Sequence, residues 1–375
     1  MITLLLVFLL AVAAAADLPQ SNVGKRLTTR YDDYLSDPSA YRTQVEKEAY
    51  LFPEGRLYPY MFPTLAYTNL AARDPLEREH AREQVGKLVD LALGTTRHMV
   101  GVPLDEVDDY RGHGTWLGSS LLMLGCWRYL GGDDRYEEIH RALADSLGTA
   151  LKAEKYGALD SYPGSAWPVD TMVVALGLAL RDHQTGIPKH RTMMTKHFDW
   201  VDQHATDPRT KLPVFLVDAE HGFHRDLPRG CDLSLRIAFL AQVAPDRAQS
   251  MYDEYAARFW ISRSILGSGF AEWEGGMDGT GDIDSGIVFK GLGMAATGMG
   301  LATTRAVGDM NRWAILHVEL QGFRTMMPAL LPIAKNDLVF NKLPISNEYA
   351  TGFLFGDAVL FWAVTWEDWG LEKLD

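Results

Sequence analysis

The chain has 375 residues, 47% of them apolar and 23% charged, with ten Trp, fifteen Tyr and fifteen Phe. Such a composition supplies a sizeable core and excludes global disorder, in one large domain or two ordinary ones. The net charge of −13 is spread along the chain, which excludes nucleic acid and an anionic membrane surface as partners, because either demands a basic footprint.

Residues 1–16, MITLLLVFLLAVAAAA, form an apolar run from Ile2 that ends in three alanines before Asp17. The run is short for a bilayer span and closes like a cleavage site, so it is expected to be a signal peptide of an exported protein, periplasmic or secreted. An uncleaved membrane anchor is the alternative, since the segment carries no Lys or Arg. Only Cys126 and Cys231 occur, too few for a disulfide scaffold; they form one pair or two buried thiols.

Residues 17–60 are polar and tyrosine-rich and read as an N-terminal arm with one helix over Tyr41–Leu51. From residue 61 to 375 helical patterns follow one another. Helices are predicted over Met61–Ala72, Leu76–Val100, Leu117–Leu130, Tyr136–Leu147, Pro168–Leu180, His190–His204, Leu233–Val243, Pro245–Phe259, Ile287–Ala306, Met310–Phe323 and Asp357–Trp366. Gly186 and Pro188 stop the fifth of these, and few stretches read as strands. Thr171–Leu180 and Ile287–Ala302 are apolar on nearly every face, whereas Asp133–Leu151 and Asp246–Phe259 are amphipathic. Buried and half-wet helices in alternation predict an all-α fold, an α/α toroid of about six helical hairpins with inner and outer rings. Gly291, Gly293, Ala295, Gly298 and Gly300 are the small residues expected to permit close contact in the inner ring. A membrane-spanning helix over 287–306 is the competing reading, at the cost of burying Lys290.

In such a toroid the loops at one end of the inner helices roof a funnel, and three stretches place acids there. Gly267–Gly286, GSGFAEWEGGMDGTGDIDSG, has seven glycines among Glu272, Trp273, Glu274, Asp278, Asp282 and Asp284. Ser161–Asp170 supplies Tyr162, Trp167 and Asp170 before an apolar helix, and Arg229-Gly-Cys-Asp232 precedes another. Crowded carboxylates do not all ionise freely, so one can stay protonated near neutrality and act as an acid. The plainer reading is that Asp170 and Asp232 stabilise helix starts and that the glycine-rich loop is a solvated turn. His183, His190, His197 and His204 recur every seven residues, roughly 10 Å apart along a helix, too far to share a metal. His221 and His224 match no compact ligand signature, so no metal site is expected.

Tyr110-Arg-Gly-His113, Arg135-Tyr-Glu-Glu-Ile-His140, the Ser161–Gly186 segment, the Pro245–Phe259 helix and Gly281-Asp-Ile-Asp-Ser-Gly286 resemble, in order, blocks of the linalool dehydratase-isomerase family over about Tyr67 to Asp309. The resemblance implies an exported six-hairpin toroid, often a ring of identical subunits, acting on a monoterpene alcohol without metal or organic cofactor. The departures are specific. The family's two cysteines align with Ser161 and Asp170, its histidine with His113 or Ser120, and a tyrosine facing substrate falls near Asp232. The expectation is therefore a cofactor-independent lyase or isomerase of a small alcohol. Asp170, Asp282, Asp284, Asp232 and His113 would be catalytic; Ser161, Tyr162, Trp167, Glu272 and Trp273 would surround the substrate. A six-hairpin glycoside hydrolase is the alternative, because glycosidic cleavage needs two carboxylates and an acidic aromatic cleft suits a sugar. A non-catalytic binding protein is the third reading.

Overall fold

The computed structural model describes residues 22–49, 52–107, 110–263, 267–277, 281–282, 284–286, 288–334 and 351–374; the expected signal peptide and Asp278 lie outside them. The described helices are α1 (Asn22–Ser36), α2 (Pro38–Glu48), α3 (Tyr58–Arg73), α4 (Arg78–Val100), α5 (Gly114–Tyr129), α6 (Glu137–Ala153), α7 (Pro168–Thr185), α8 (Arg191–His204), α9 (Gly230–Leu240), α10 (Pro245–Phe259), α11 (Met294–Ala306), α12 (Met310–Ala334) and α13 (Leu354–Thr365). Helices α3, α5, α7, α9, α11 and α13 pack on one another in a closed cycle, with α13 returning to α3. Between them the chain runs back outside: α4 lies against α3 and α5, α6 against α5 and α7, α8 against α7, α10 against α9 and α12 against α11. This is the α/α toroid of six hairpins expected from the alternation of apolar and amphipathic helices. Since an outer helix returns between successive inner ones, the inner helices run parallel and their N-termini share one rim.

The sixth outer place, beside α13, is filled by α1 from the opposite end of the sequence. Arg30 of α1 pairs with the fully buried Asp357 of α13, and the Tyr31 ring stacks on Phe361 at 5.2 Å. The 17–60 segment, expected to hold an arm and one helix over Tyr41–Leu51, has a helix close to that place, α2, and a further one, α1, where the arm was expected. Its Leu27, Tyr31, Leu35, Tyr41 and Val45 belong to the same core as the inner ring. Its tyrosines, which lower the apparent hydrophobicity of the segment, are what it buries.

Inner and outer helices follow different local rules. In α5 every residue from Gly114 to Trp127 is buried, and Gly118 and Gly125 let α7 approach closely. A Cβ at Gly118 would meet Val174 Cγ2 at 2.6 Å, and one at Gly125 would meet Leu180 at 2.9 Å. Outer helix α6 instead buries His140, Leu143, Ala144, Leu147, Gly148 and Leu151, one face at the helical period, and leaves the rest partly or fully wet.

The largest shift from expectation is the start of α11, Met294 in place of Ile287. Val288–Phe289 (β5) and Leu292–Gly293 (β6) pair antiparallel around Lys290 and Gly291, whose φ angles are 50° and 84°. Positive φ at both central residues is what a tight type I′ hairpin requires. Consequently Gly291 and Gly293 serve this hairpin and not the inner ring. No helix among the described residues is long and apolar enough to cross a membrane, which removes the spanning reading of 287–306. Cys126 and Cys231 are both buried and free.

Candidate active site

The rim is assembled from five segments. A 3-10 turn over Pro53–Arg56 carries Glu54 and leads into α3, which begins at Tyr58; His113 is the N-cap residue of α5 and Thr115 lies in its first turn. The loop before α7 supplies Ser161, Tyr162 and Trp167, and the first turn of α7 supplies Asp170; Arg229 is the N-cap residue of α9. The glycine-rich loop before α11 supplies Glu272, Trp273, Asp282 and Asp284. Two short ladders fix these loops to each other. Ser165–Ala166 (β1) pairs with Val217–Asp218 (β2), which brings Phe215 beside Trp167. Trp260–Ile261 (β3) pairs with Gly269–Phe270 (β4), and Ala271 bridges to Leu292, which sets the path of Glu272 and Trp273.

Asp170 sits in the first turn of α7 and is half-buried. Thr115 Oγ1 donates to its Oδ2 at 2.6 Å, and Ser161 also bonds the carboxylate. The Ser161 oxygen in turn accepts from the Trp167 N–H at 3.1 Å. Burial nonetheless dominates: it lifts Asp170 from 3.8 to about 6, against those two hydrogen bonds and with the help of the negative charges of Glu54 and Asp232. Asp284 is pushed further, to about 7, by desolvation first and then by Asp282, with Arg229 opposing and Glu54 and Asp170 adding to the rise. Asp284 itself is exposed to solvent at the mouth, with the charges of Asp282, Arg229, Glu54 and Asp170 around it. Tyr58 and Tyr162 both feel the charges of Glu54, Asp170 and Asp284 and are raised well above the usual phenol range, burial being the larger cause. Tyr162 donates its hydroxyl to Glu54 Oε1.

An aromatic wall runs beside this acidic group. Tyr162 meets Trp167 edge-on at 5.9 Å, Trp167 meets Phe215 edge-on at 6.3 Å, and the Arg229 guanidinium lies 4.5 Å from the Phe215 ring and 5.1 Å from that of Trp273. Arg229 is buried, with Nε on Glu272 at 2.8 Å and its two terminal nitrogens on the two oxygens of Asp282 at 2.8 Å each.

The structure separates the residues singled out from the sequence into three groups. Asp170 and Asp284 lie near enough for the charge of Asp170 to raise Asp284; Ser161 bonds Asp170, Tyr162 feels both charges, and Trp167 meets the Tyr162 ring. Asp282 and Trp273 lie at the same mouth but engage Arg229: although burial alone would raise Asp282, that arginine and the Ser285 N–H hold it below the usual carboxylate range. Asp232 and Glu272 face inward. Arg236, one turn along α9, grips both oxygens of buried Asp232 at 2.8 to 3.2 Å, and Glu272, fully buried, accepts from Arg229 and from the Cys231 N–H and thiol. His113, the half-buried N-cap residue of α5, is joined to none of these carboxylates by a hydrogen bond among the described residues. Ser120 is buried in mid-helix against the Thr96 hydroxyl, away from the rim.

Glu54, Tyr58, Thr115, Phe215 and Arg229 were missed as site residues. Glu54 and Tyr58 fall between the helix expected over Tyr41–Leu51 and the one expected from Met61, and nothing in their local pattern marks them. Thr115 had a usable signal, since a hydroxyl in the first turn of an inner helix faces the same rim. Among the described residues no group of His, Cys, Asp and Glu could hold a metal ion. His190 is occupied by Asp182 at 2.6 Å, His197 by the Gly157 carbonyl, and His221 by Asp218 at 3.0 Å.

Ring and rim together define a six-hairpin α/α toroid with an acidic, aromatic mouth. Structures it resembles include two of the GH76A α-1,6-mannanase of Salegentibacter sp. HEL1_6. One, an inactive variant with α-1,6-mannotetrose, is 12% identical at a TM-score of 0.49; the other is 14% identical at 0.48; each covers 81% of this chain and 88% of that one. A family 76 glycoside hydrolase from a bovine Bacteroides thetaiotaomicron strain is 11% identical at 0.44, covering 82% of this chain and 68% of that one. No protein-family model and no curated protein matches the chain. The resemblance to the linalool dehydratase-isomerase family, and the lyase or isomerase activity that followed from it, are therefore corrected: the solved structures found similar are family 76 glycosidases. The scattered positions behind that resemblance, such as Arg135–His140 and Pro245–Phe259, are helix starts and outer-ring faces that the toroid itself demands.

Proposed function

We propose that the chain is an exported glycoside hydrolase in which Asp284 is the general acid and Asp170 the second carboxylate. One observation carries the reading: two carboxylates from different segments, raised to about 6 and about 7, stand beside an aromatic wall. Glycosidic cleavage needs such a pair, one protonated and one ionised, and the ring faces of Tyr162 and Trp167 suit the apolar face of a sugar. Asp170 ionises first, and its charge then helps keep the proton on Asp284. The pair titrates as a unit, so activity should be bell-shaped with its maximum between about pH 6 and 7.

In the reaction the Asp284 proton passes to the glycosidic oxygen as its bond to the anomeric carbon breaks. The ionised Asp170 meets the developing oxocarbenium charge, either attacking the anomeric carbon or taking a proton from the water that does. One water is consumed, its hydroxyl ending on the anomeric carbon and its second proton restoring the acid. Thr115 and Ser161 hold Asp170 in place throughout. The apolar run at residues 2–16 is the export signal of this enzyme.

The test is a panel of α- and β-linked oligosaccharides and aryl glycosides. Asp284→Asn should lose at least 100-fold on a natural glycoside and much less on a dinitrophenyl glycoside, whose leaving group needs no proton. Equal losses on both, or full turnover by the Asp170→Asn variant, would sink the assignment.

A further inference from the structure

We infer that Arg229 and Asp282 are positioning residues for Asp284, a buried cation and a carboxylate that together hold the loop bearing the acid. The inference rests on reading Asp284 as the acid. The sequence offers Asp282 and Asp284 as an equivalent pair two residues apart, and the structure makes them unequal. Both oxygens of Asp282 are taken by the Arg229 fork at 2.8 Å. Its Oδ1 also accepts the backbone N–H of Asp284 at 3.1 Å and of Ser285 at 3.0 Å, while the Asp282 N–H donates to Ser285 Oγ at 2.9 Å. The Asp282 side chain therefore ties the backbone on which Asp284 rides to Arg229, the N-cap residue of α9. Ser285 carries the link on, its carbonyl accepting from the Ala295 N–H in the first turn of α11 at 3.1 Å. The arginine itself cannot swing, because Glu272 Oε1 holds its Nε at 2.8 Å and the Phe215 and Trp273 rings lie against its guanidinium.

The same contacts set the charge around Asp284. The ionisable groups facing it are Asp282 on its own loop, Glu54 from the turn before α3 and Tyr58 at the start of α3, Tyr162 from the loop before α7 and Asp170 in the first turn of α7, and Arg229 and Cys231 at the start of α9. Asp282 is the largest charge raising it, and Arg229 opposes. Removing one or the other therefore moves Asp284 in opposite directions, which a loss of packing alone does not do. Because the acid must be protonated to act, the alkaline limb of the pH–rate profile follows it.

Three variants test this, each read by the pH profile of kcat and by carboxyl carbon NMR of Asp284 in protein labelled at aspartate. Asp282→Asn removes the like charge and leaves Arg229 under-neutralised, so the limb and the NMR midpoint should move down by about one pH unit, with kcat falling at least tenfold and KM changing less than threefold. Arg229→Met should move both up. Arg229→Lys keeps the charge but loses the fork; it should cut kcat while leaving the limb within about 0.3 pH unit of wild type, and it covers the case in which the methionine variant does not fold. Limbs and midpoints that stay put in Asp282→Asn and Arg229→Met, or move the same way in both, overturn the inference. NMR shifts in the expected directions without hydrolysis of any glycoside would instead support the positioning role and reject only the glycosidase reading.

Discussion

Asp170→Asn should stabilise the protein in alkali while abolishing its chemistry. A carboxyl lifted from 3.8 to about 6 by burial contributes stability that is complete below the unfolded value and is lost as the pH rises through the folded one. Between about pH 4 and pH 6 the folded chain keeps a proton that the unfolded chain gives up, so the native state weakens across that window. The raise corresponds to about 3 kcal/mol above pH 7. An amide removes this cost but cannot accept from both Thr115 and Ser161 as the anion does, which gives back about 1 kcal/mol. With partial solvent access at a half-buried group, the net gain is about 1 to 2 kcal/mol at pH 8 and none at pH 4. For 375 residues, at ~2.1 cal/mol/K of unfolding entropy each, that is a Tm increase of about 2 °C. Calorimetry of wild type and variant at both pH values measures it. If the variant is no better relative to wild type at pH 8 than at pH 4, the carboxylate is not being held against its own ionisation and the electrostatic account of the site is wrong.

Arg30→Ala should cost about 2 to 3 kcal/mol in urea unfolding, because the fully buried Asp357 then loses its cation, although the Thr351 N–H and hydroxyl at 2.8 and 2.9 Å still bond it; an unchanged midpoint would mean that the pair does not close the ring. His140→Leu should remove an acid sensitivity. The imidazole is buried, neither nitrogen finds a partner among the described residues, and burial, with Arg181 next, depresses it to about 3. A base held neutral in this way contributes stability above its ordinary 6.5 that is lost as the pH falls below it, about 2 to 3 kcal/mol by pH 4.5. The stability difference between pH 7 and pH 4.5 should shrink by that amount in the variant, and a difference equal to wild type would assign acid unfolding to other groups.

The ring was legible because burial all round leaves a mark in sequence. Segments such as Leu121–Cys126 or Val173–Leu180 have no polar face to offer water, and the amphipathic helices between them do. The start of Pro245–Phe259 agrees to the residue because proline is favoured at the first position of a helix. What stayed hidden depends on contacts far apart in the chain. Glu54 reaches the site only because the turn before α3 returns to the rim, 108 residues from its partner Tyr162. The start of α11 was misplaced because Ile287–Gly293 reads as apolar whether it is a buried helix or a hairpin, and only positive φ at Lys290 and Gly291 decides.

Asp170 and Asp232 show how nearly identical sequence contexts receive opposite uses. Each is the third residue of an inner helix, after Trp167 and Arg229 as N-cap residues, and each lies at the positive end of a helix dipole. That dipole is worth 0.3 to ~1 kcal/mol for a carboxylate, less than burial takes away, so both acids stand above the ordinary value. The difference lies one turn further along. Four residues after Asp232 stands Arg236, whose fork takes both oxygens and fixes a buried ion pair. Four residues after Asp170 stands Val174, which packs in the core and offers no charge. With only the hydroxyls of Thr115 and Ser161 to hold it, Asp170 keeps a proton affinity near neutrality. At these two helix starts the arginine at i+4 makes Asp232 one half of an ion pair, whereas Val174 at i+4 leaves Asp170 with no cation one turn along its own helix to neutralise it.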